Sequence, residues 1–198
     1  MRGAKINLKI KLPLCFLLIC IIFSSCSNIN DEKAELIQSL SSVTSAEYTA
    51  HITASFPDKE AEFTVLYTHS PENDRASIIA PSEVTGVSYT ISGDTGFIEF
   101  DGAILEIGRL DETGVSPFSA IYSLLSTWKR GAFSEVTRTV MHGDAAYLVI
   151  SHDKKDASEL EYRTWFSKDN ILPLYAEIFS DGERIITCEF ERAEHNTK

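Results

Sequence analysis

The feature that most constrains the fold is a repeated alternation of apolar and polar residues, which begins at Tyr48 and continues almost to the carboxyl terminus. In residues 48–56 every second residue is apolar, and the residues between them are Thr, His or Ser. A period of two is typical of a β-strand with one buried face. Clusters of Gly, Pro, Asn and Asp separate the segments and predict turns. The predicted strands are residues 48–56, 62–68, 75–80, 86–92, 97–100, 104–107, 134–140, 145–152, 159–167, 172–179 and 184–191.

Two segments have helical periodicity instead. Residues 31–43 place apolar side chains at helical spacing, and Asn30 is the predicted N-cap. Residues 116–131 form the second predicted helix, with Pro117 at its first position. The order of strands and helices does not alternate as in parallel sheets, so we predict a mainly β (α+β) fold. We expect a curved antiparallel sheet or half-open β-barrel of about ten or eleven strands, with both helices on its concave side.

The first 26 residues have the pattern of a bacterial lipoprotein signal. A basic segment precedes an apolar core of about ten residues, half of what a membrane-spanning helix needs. The lipobox Phe23-Ser24-Ser25-Cys26 follows. We expect residues 1–25 to be removed as a signal peptide, Cys26 to be acylated, residues 26–30 to form a short tether, and residues 31–198 to form a single domain. The expected location is the cell membrane, lipid-anchored on the extracytoplasmic face; an ordinary signal peptide cleaved nearby is the alternative.

Charge and cysteine content restrict the partners and the means of stabilisation. Removal of residues 1–25 takes away four basic residues and no acidic one, which leaves 14 basic against 29 acidic residues, a net charge of −15. Nucleic acid and anionic head groups repel such a chain, so we expect no nucleic-acid partner and a membrane attachment that depends on the acyl chain. Cys188 is the one other cysteine of the mature chain. No internal disulfide is therefore expected. The alternation of the strand around Cys188 predicts that its thiol is buried.

The sequence contains no motif that indicates an enzyme, a metal site or a cofactor. It has no phosphate-binding glycine loop and no nucleophile elbow, and its histidines lack the spacing of metal ligands. Each histidine is predicted to face solvent. We therefore predict no catalytic residue, no metal ligand and no cofactor. The five histidines are His51, His69, His142, His152 and His195.

The order of several short motifs resembles the LolA/LolB-like lipoprotein-carrier superfamily over nearly the whole mature chain. These motifs are residues 70–75, Asp101-Gly102, Ser116-Pro117-Phe118, residues 165–174 and Asp181-Gly182. The resemblance implies a half-open antiparallel β-barrel with helices as a lid over an apolar cavity for acyl chains. Residues 84–107 look more like the lipoproteins of this fold in Gram-positive spore formers. That group includes the germination lipoprotein GerS, which activates a cell-wall amidase.

Two functions are compatible with these observations. The first is a non-enzymatic lipoprotein that holds an acyl chain or a lipoprotein ligand in its half-barrel. The second is a regulatory lipoprotein that binds and activates a cell-envelope enzyme, such as a cell-wall or spore-cortex amidase. A carrier requires a contiguous apolar cavity, whereas a partner protein requires a filled core and an exposed apolar patch or open edge strand. The residues expected to line a cavity, which equally fit a closed core, are Tyr48, Ile52, Phe63, Val65, Leu124, Tyr147, Val149 and Tyr162.

Overall fold

The computed structural model describes residues 29–93, 95–109, 115–155 and 158–197, so the predicted signal peptide and Cys26 lie outside the described residues. Within these described residues the chain forms eleven strands and two helices, as predicted. In chain order the elements are α1 (Ile29–Ser41), β1 (Val43–Phe56), β2 (Lys59–His69), β3 (Asp74–Ala80), β4 (Ser88–Ser92), β5 (Thr95–Phe100), β6 (Ala103–Glu106), α2 (Ala120–Arg130), β7 (Phe133–Met141), β8 (Asp144–Lys155), β9 (Ser158–Ser167), β10 (Pro173–Ser180) and β11 (Glu183–Thr197).

The strands form one antiparallel sheet, curved and unclosed, in the order β6-β5-β4-β3-β2-β1-β11-β10-β9-β8-β7. Asp101 and Gly102 between β5 and β6 have φ angles of 50° and 77°, which suit the two-residue turn of a twisted hairpin. The pairing of β1 with β11 joins strands far apart in sequence and places Ile52 opposite Cys188. The last strand therefore connects the two halves of the sheet, and β6 and β7 are its edges. The predicted mainly β fold is confirmed.

Several boundaries differ from the prediction, and three of them are the starts of α1, α2 and β1. Helix α1 includes Asn30, so this residue is not the N-cap. Pro117 lies in a turn, and α2 begins at Ala120 because hydrogen bonds between Ser116 and Ser119 form that turn before the helix. Strand β1 begins at Val43, where pairing with the end of β11 extends the strand beyond its alternating segment.

The concave side of the sheet is filled by aromatic side chains around α2. The ring of Trp128 lies edge to face with that of Phe166, at 5.0 Å between centroids. Its Nε1 donates a hydrogen bond of 3.0 Å to the buried hydroxyl of Thr164. The rings of Tyr48 and Tyr67 stack at 6.1 Å. These contacts fix α2 against the sheet, because a buried indole N–H requires the acceptor that Thr164 supplies.

Helix α1 covers the neighbouring part of the core. Leu36 and Leu40 are each 1% exposed, as expected for one face of an amphipathic helix. At the end of α2, Gly131 has a φ of 65°, and a Cβ added there would lie 2.8 Å from Cγ2 of Ile37. The absence of a side chain at Gly131 thus allows the two helices to approach. In the described part of the chain, neither helix is long and apolar enough to cross a bilayer.

Candidate functional site

The eight residues predicted to line a cavity lie in or beside the packed core. Phe63 is half-buried against it, and Tyr162 also borders a cavity of about 110 Å³. The hydroxyl of Tyr48 is buried without a hydrogen-bond partner in the described chain. The structure brings the eight together as core neighbours, whereas two larger clefts are lined by other residues. The seven buried members are Tyr48, Ile52, Val65, Leu124, Tyr147, Val149 and Tyr162, none of them more than 6% exposed.

The two larger clefts adjoin each other between α2 and the β1–β4 side of the sheet. Their volumes are about 510 Å³ and 330 Å³, within the range of roughly 300–1,000 Å³ that is usual for small-molecule sites. They share His69, Asp74, Tyr122 and Lys129, and the turn of residues 70–73 borders the larger one. Apolar contacts come from Val43 and Ile91 in the larger cleft and from Tyr67 and Leu125 in the smaller one.

A chain of hydrogen bonds forms the wall that the clefts share. The hydroxyl of Tyr67 donates to Oδ1 of Asp74 at 2.5 Å, and Nδ1 of His69 lies 2.7 Å from the same oxygen. On the other side of the ring, Nε2 of His69 lies 2.9 Å from Nζ of Lys129. An ammonium group can only donate, so Nε2 accepts and Nδ1 donates to Asp74. These contacts place the His69 ring between a carboxylate and an ammonium group, with Nδ1 as donor and Nε2 as acceptor.

Burial makes Tyr67 dependent on Asp74. Tyr67 is 1% exposed, and burial together with the adjacent carboxylate raises its pKa well above the ordinary value. The hydroxyl therefore keeps its proton at neutral pH and acts as a donor. The side chains of His69 and Asp74 are 13% and 16% exposed, so both still border the cleft. The clefts thus offer an ammonium group, polar side chains and apolar contacts, a combination that suits an amphiphilic ligand.

The prediction that all five histidines face solvent is wrong for His69 and His195. His69 pairs with Asp74 across the β2–β3 hairpin, where the two residues are direct partners. This pairing was accessible from the sequence, because Asp74 follows His69 across a turn of four residues. His195 is half-buried near the end of β11, and burial lowers its pKa. Among the described residues, no three metal-ligating side chains come together.

The edge strand β6 exposes apolar side chains. All four of its residues are exposed, Ile104 at 69% and Leu105 at 63%, and Phe100 at the end of β5 is 51% exposed. Beyond β6 the chain turns inward onto β5, where a Cβ added to Gly96 would lie 1.9 Å from the carbonyl oxygen of Gly108. The absence of a side chain at Gly96 permits this approach and determines where the exposed edge ends.

Helix α1 covers part of the opposite edge strand, β7, where Val140 is nevertheless 65% exposed. Nζ of Lys33 on α1 donates to the carbonyl of Phe133 at 2.8 Å. Nε of Arg138 on β7 lies 2.7 Å from a carboxylate oxygen of Glu32, also on α1. Charged side chains and an adjacent helix are common ways to protect an edge strand from pairing. The two edges of the sheet therefore differ in their capacity to bind another chain.

Comparison with known proteins identifies the fold. No protein-family model and no curated protein matches the chain. A conserved uncharacterised protein from Thermus thermophilus is similar in structure, with 9% identity, a TM-score of 0.51, and coverage of 86% of this chain and 90% of that one. A domain from Vibrio parahaemolyticus named for outer-membrane lipoprotein sorting has 12% identity, a TM-score of 0.47, and coverage of 85% and 91%.

A similar chain is also found in the structure of the CwlD amidase from Clostridioides difficile in complex with the GerS lipoprotein. It has 12% identity, a TM-score of 0.43, and coverage of 87% of this chain and 99% of that one. It is not more similar than the other two structures, so the expected nearness to GerS is not confirmed. Identities this low show the fold alone. That fold is the curved, half-open antiparallel sheet with two helices that the resemblance to LolA-like proteins implied.

Proposed function

We propose that the protein is a membrane-anchored, extracytoplasmic lipoprotein without catalytic activity, which binds another protein of the cell envelope through an edge of its sheet. The observation that carries the proposal is the contrast between a packed interior around Trp128 and an exposed apolar edge at Ile104 and Leu105. An exposed apolar edge strand favours association with another chain. A regulatory lipoprotein that activates an envelope enzyme, such as a cell-wall or spore-cortex amidase, has this requirement.

The position of α1 supports a close approach to the bilayer. Ile29, where α1 begins, is three residues after Cys26, and three extended residues reach roughly 11 Å at most. In the first turn of α1, Glu32 contacts Arg138 at 2.7 Å and Lys168, in the β9–β10 turn, at 3.8 Å. An acyl chain on Cys26 would therefore hold the β9–β10 end of the sheet toward the membrane.

The clefts favour a second candidate function, binding of an acyl chain or a lipoprotein ligand. Strands β2 and β9 run in the same direction in the antiparallel order, so the β2–β3 turn and the β9–β10 turn lie at the same end of the sheet. The larger cleft opens beside the β2–β3 turn and would face the bilayer. Lys129 would contact a polar head group, and each buried methylene would contribute about 0.8 kcal/mol.

Two measurements distinguish the functions. Native mass spectrometry of residues 27–198 with a membrane-lipid extract should show no stoichiometric lipid adduct if protein binding is the function. An adduct that Lys129→Glu abolishes would favour the cleft instead. Crosslinking of the full-length protein in membranes should give a complex that Ile104→Lys removes and that Val140→Lys, at an exposed position of the opposite edge strand, retains. If Cys26→Ala stays attached to membranes, the acyl anchor is contradicted.

A further inference from the structure

Part of the β6 backbone is directed away from β5. In an antiparallel hairpin, pairs that exchange hydrogen bonds alternate with pairs that do not. A two-residue turn closes the β5–β6 hairpin, so the residues on either side of the turn form the first hydrogen-bonded pair. Ile104 and Glu106 fall between the hydrogen-bonded pairs, and their N–H and C=O groups point outward. The hydrogen-bonded pairs are Phe100 with Ala103, Ile98 with Leu105, and Gly96 with Ile107, the last with an N–O distance of 2.9 Å.

Apolar side chains lie on both faces beside these backbone groups. Leu105 is in register with Ile98 and Tyr89, whose side chains are on the concave face. Ile104, the next residue, is on the opposite face. A strand added to β6 would therefore find an apolar neighbour on each face, with Phe100 beside the concave one. Burial of these side chains would supply affinity in addition to the backbone hydrogen bonds.

The charge of this hairpin determines which sign of charge a bound partner segment should carry. Residues 95–106 include Glu99, Asp101 and Glu106 and no Lys or Arg. Arg75 on β3 pairs with Glu99 at 3.0 Å, whereas Asp101 and Glu106 are exposed. The sequence as a whole has a net charge of −11, so an acidic segment would be repelled at long range as well. A basic segment is therefore favoured both in contact with the hairpin and at long range.

We propose that β6 binds an extended segment of a cell-envelope protein as an additional strand, and that this segment combines apolar residues with Lys or Arg. The inference rests on the protein-binding function proposed above and assigns its surface, its binding mode and the chemistry of its partner. The outward groups of Ile104 and Glu106 supply hydrogen bonds, Ile104 and Leu105 supply apolar contact, and the acidic side chains of the hairpin determine the preferred charge.

The test uses the full-length protein in detergent micelles and a displayed library of short random peptides. Selected peptides should be enriched in Lys, Arg and β-branched residues. Ile104→Pro removes an outward N–H and keeps the β5–β6 hydrogen bonds, and it should weaken their binding by about tenfold or more. Val140→Pro is the matched control, since the turn between Met141 and Asp144 places its N–H on the outer side of β7. It should retain binding.

Charge reversal gives a second variant that does not alter the backbone. Glu106→Lys should weaken the same peptides by about tenfold at low salt, and by less as salt screens the charges. Selection of acidic peptides, equal binding to Ile104→Pro, or no selected peptide at all would overturn strand addition. The protein-binding function has its own test: it is contradicted if no crosslinked complex forms in membranes. A complex that persists with Ile104→Pro would place the partner on another surface.

Discussion

Variants of Tyr67 and Asp74 measure how much the hydrogen bonds to the Asp74 carboxylate contribute to stability. Tyr67→Phe removes one donor and should lower the free energy of unfolding by about 0.5–1.5 kcal/mol. Asp74→Ala leaves the hydroxyl of Tyr67 and Nδ1 of His69 without their acceptor, and should cost about 1–3 kcal/mol. Because the two changes share one bond, the double variant should lose less than the sum. Urea unfolding at neutral pH measures all three variants, and strict additivity would contradict the coupling.

The buried thiol of Cys188 should make the folded protein less stable in alkaline solution. Burial raises the pKa of its thiol to about 12, whereas in the unfolded chain the thiol ionises near roughly 8.5. The unfolded state therefore loses its proton first, and the free energy of unfolding should fall as pH rises from about 8.5 toward 12. Tyr48 and Tyr67, whose pKa values burial also raises, act in the same direction above about pH 10.

The thiol contribution is isolated by urea unfolding at two pH values. Between about pH 8 and pH 9.5, Cys188→Ala should show a smaller fall in unfolding free energy than the unchanged chain. Iodoacetamide should modify Cys188 in urea and not in the folded protein, since the residue is 0% exposed. Equal pH dependence, or rapid labelling without urea, would contradict a buried neutral thiol.

The two helices meet at Gly131, which can be compared with a second glycine of similar backbone conformation. Gly131 and Gly93 have φ angles of 65° and 59°, so alanine is strained at either position. At Gly131 the new Cβ also lies 2.8 Å from Ile37, whereas at Gly93 no atom lies within 4 Å. Gly131→Ala should therefore cost about 1–3 kcal/mol, and more than Gly93→Ala. Equal losses in urea unfolding would mean that α1 adjusts freely to the end of α2.

The individual elements were predictable because each depends on local periodicity and turn residues. The alternation in residues 48–56 is retained in the structure, and the helical spacing is retained up to Ser41, whereas Val43 belongs to β1. Helix starts were less predictable: Asn30 lies inside α1 and not at its cap, and hydrogen bonds between Ser116 and Ser119 accompany a turn that holds Pro117 before α2. The prediction that the Cys188 thiol is buried is confirmed, because its strand has a single apolar face.

The candidate site was less accessible to sequence reasoning. His69 and Lys129 are 60 residues apart, and their contact depends on where α2 packs against the sheet. The exposure of Ile104 and Leu105 depends on β6 being an edge strand, which no local pattern reveals. Strand faces toward a cavity and toward a packed core have the same alternation, so Tyr48 and Val149 fitted both.

For the molecule as a whole, the decisive pairing is that of β1 with β11. It joins the half of the sheet that contains β2–β6 to the half that contains β7–β10, and it must form between the two ends of the chain. Contacts of such high sequence separation are expected to form slowly, because a long loop closes before they contribute stability. The two halves should therefore gain and lose structure together.

A single substitution on β1 tests both this cooperativity and the function. Ile52 is 0% exposed and lies between Phe63 of β2 and Cys188 of β11. Ile52→Lys should unfold the protein, because burial of a charge costs several kcal/mol against a typical domain stability of about 5–15 kcal/mol. Thr53→Lys, on the opposite face beside Glu62, should remain folded.

Tryptophan fluorescence is the appropriate measurement, because Trp165 belongs to β9, away from the substituted strand, whereas Trp128 on α2 packs against Tyr48 of β1. Loss of both native signals in Ile52→Lys would show that disruption of β1 unfolds the distant half, as a packed core joined through β1 and β11 requires. If Ile52→Lys instead keeps the native fluorescence, Ile52 must border space that can hold a charged side chain. In that case a ligand-binding interior replaces the exposed edge as the basis of function.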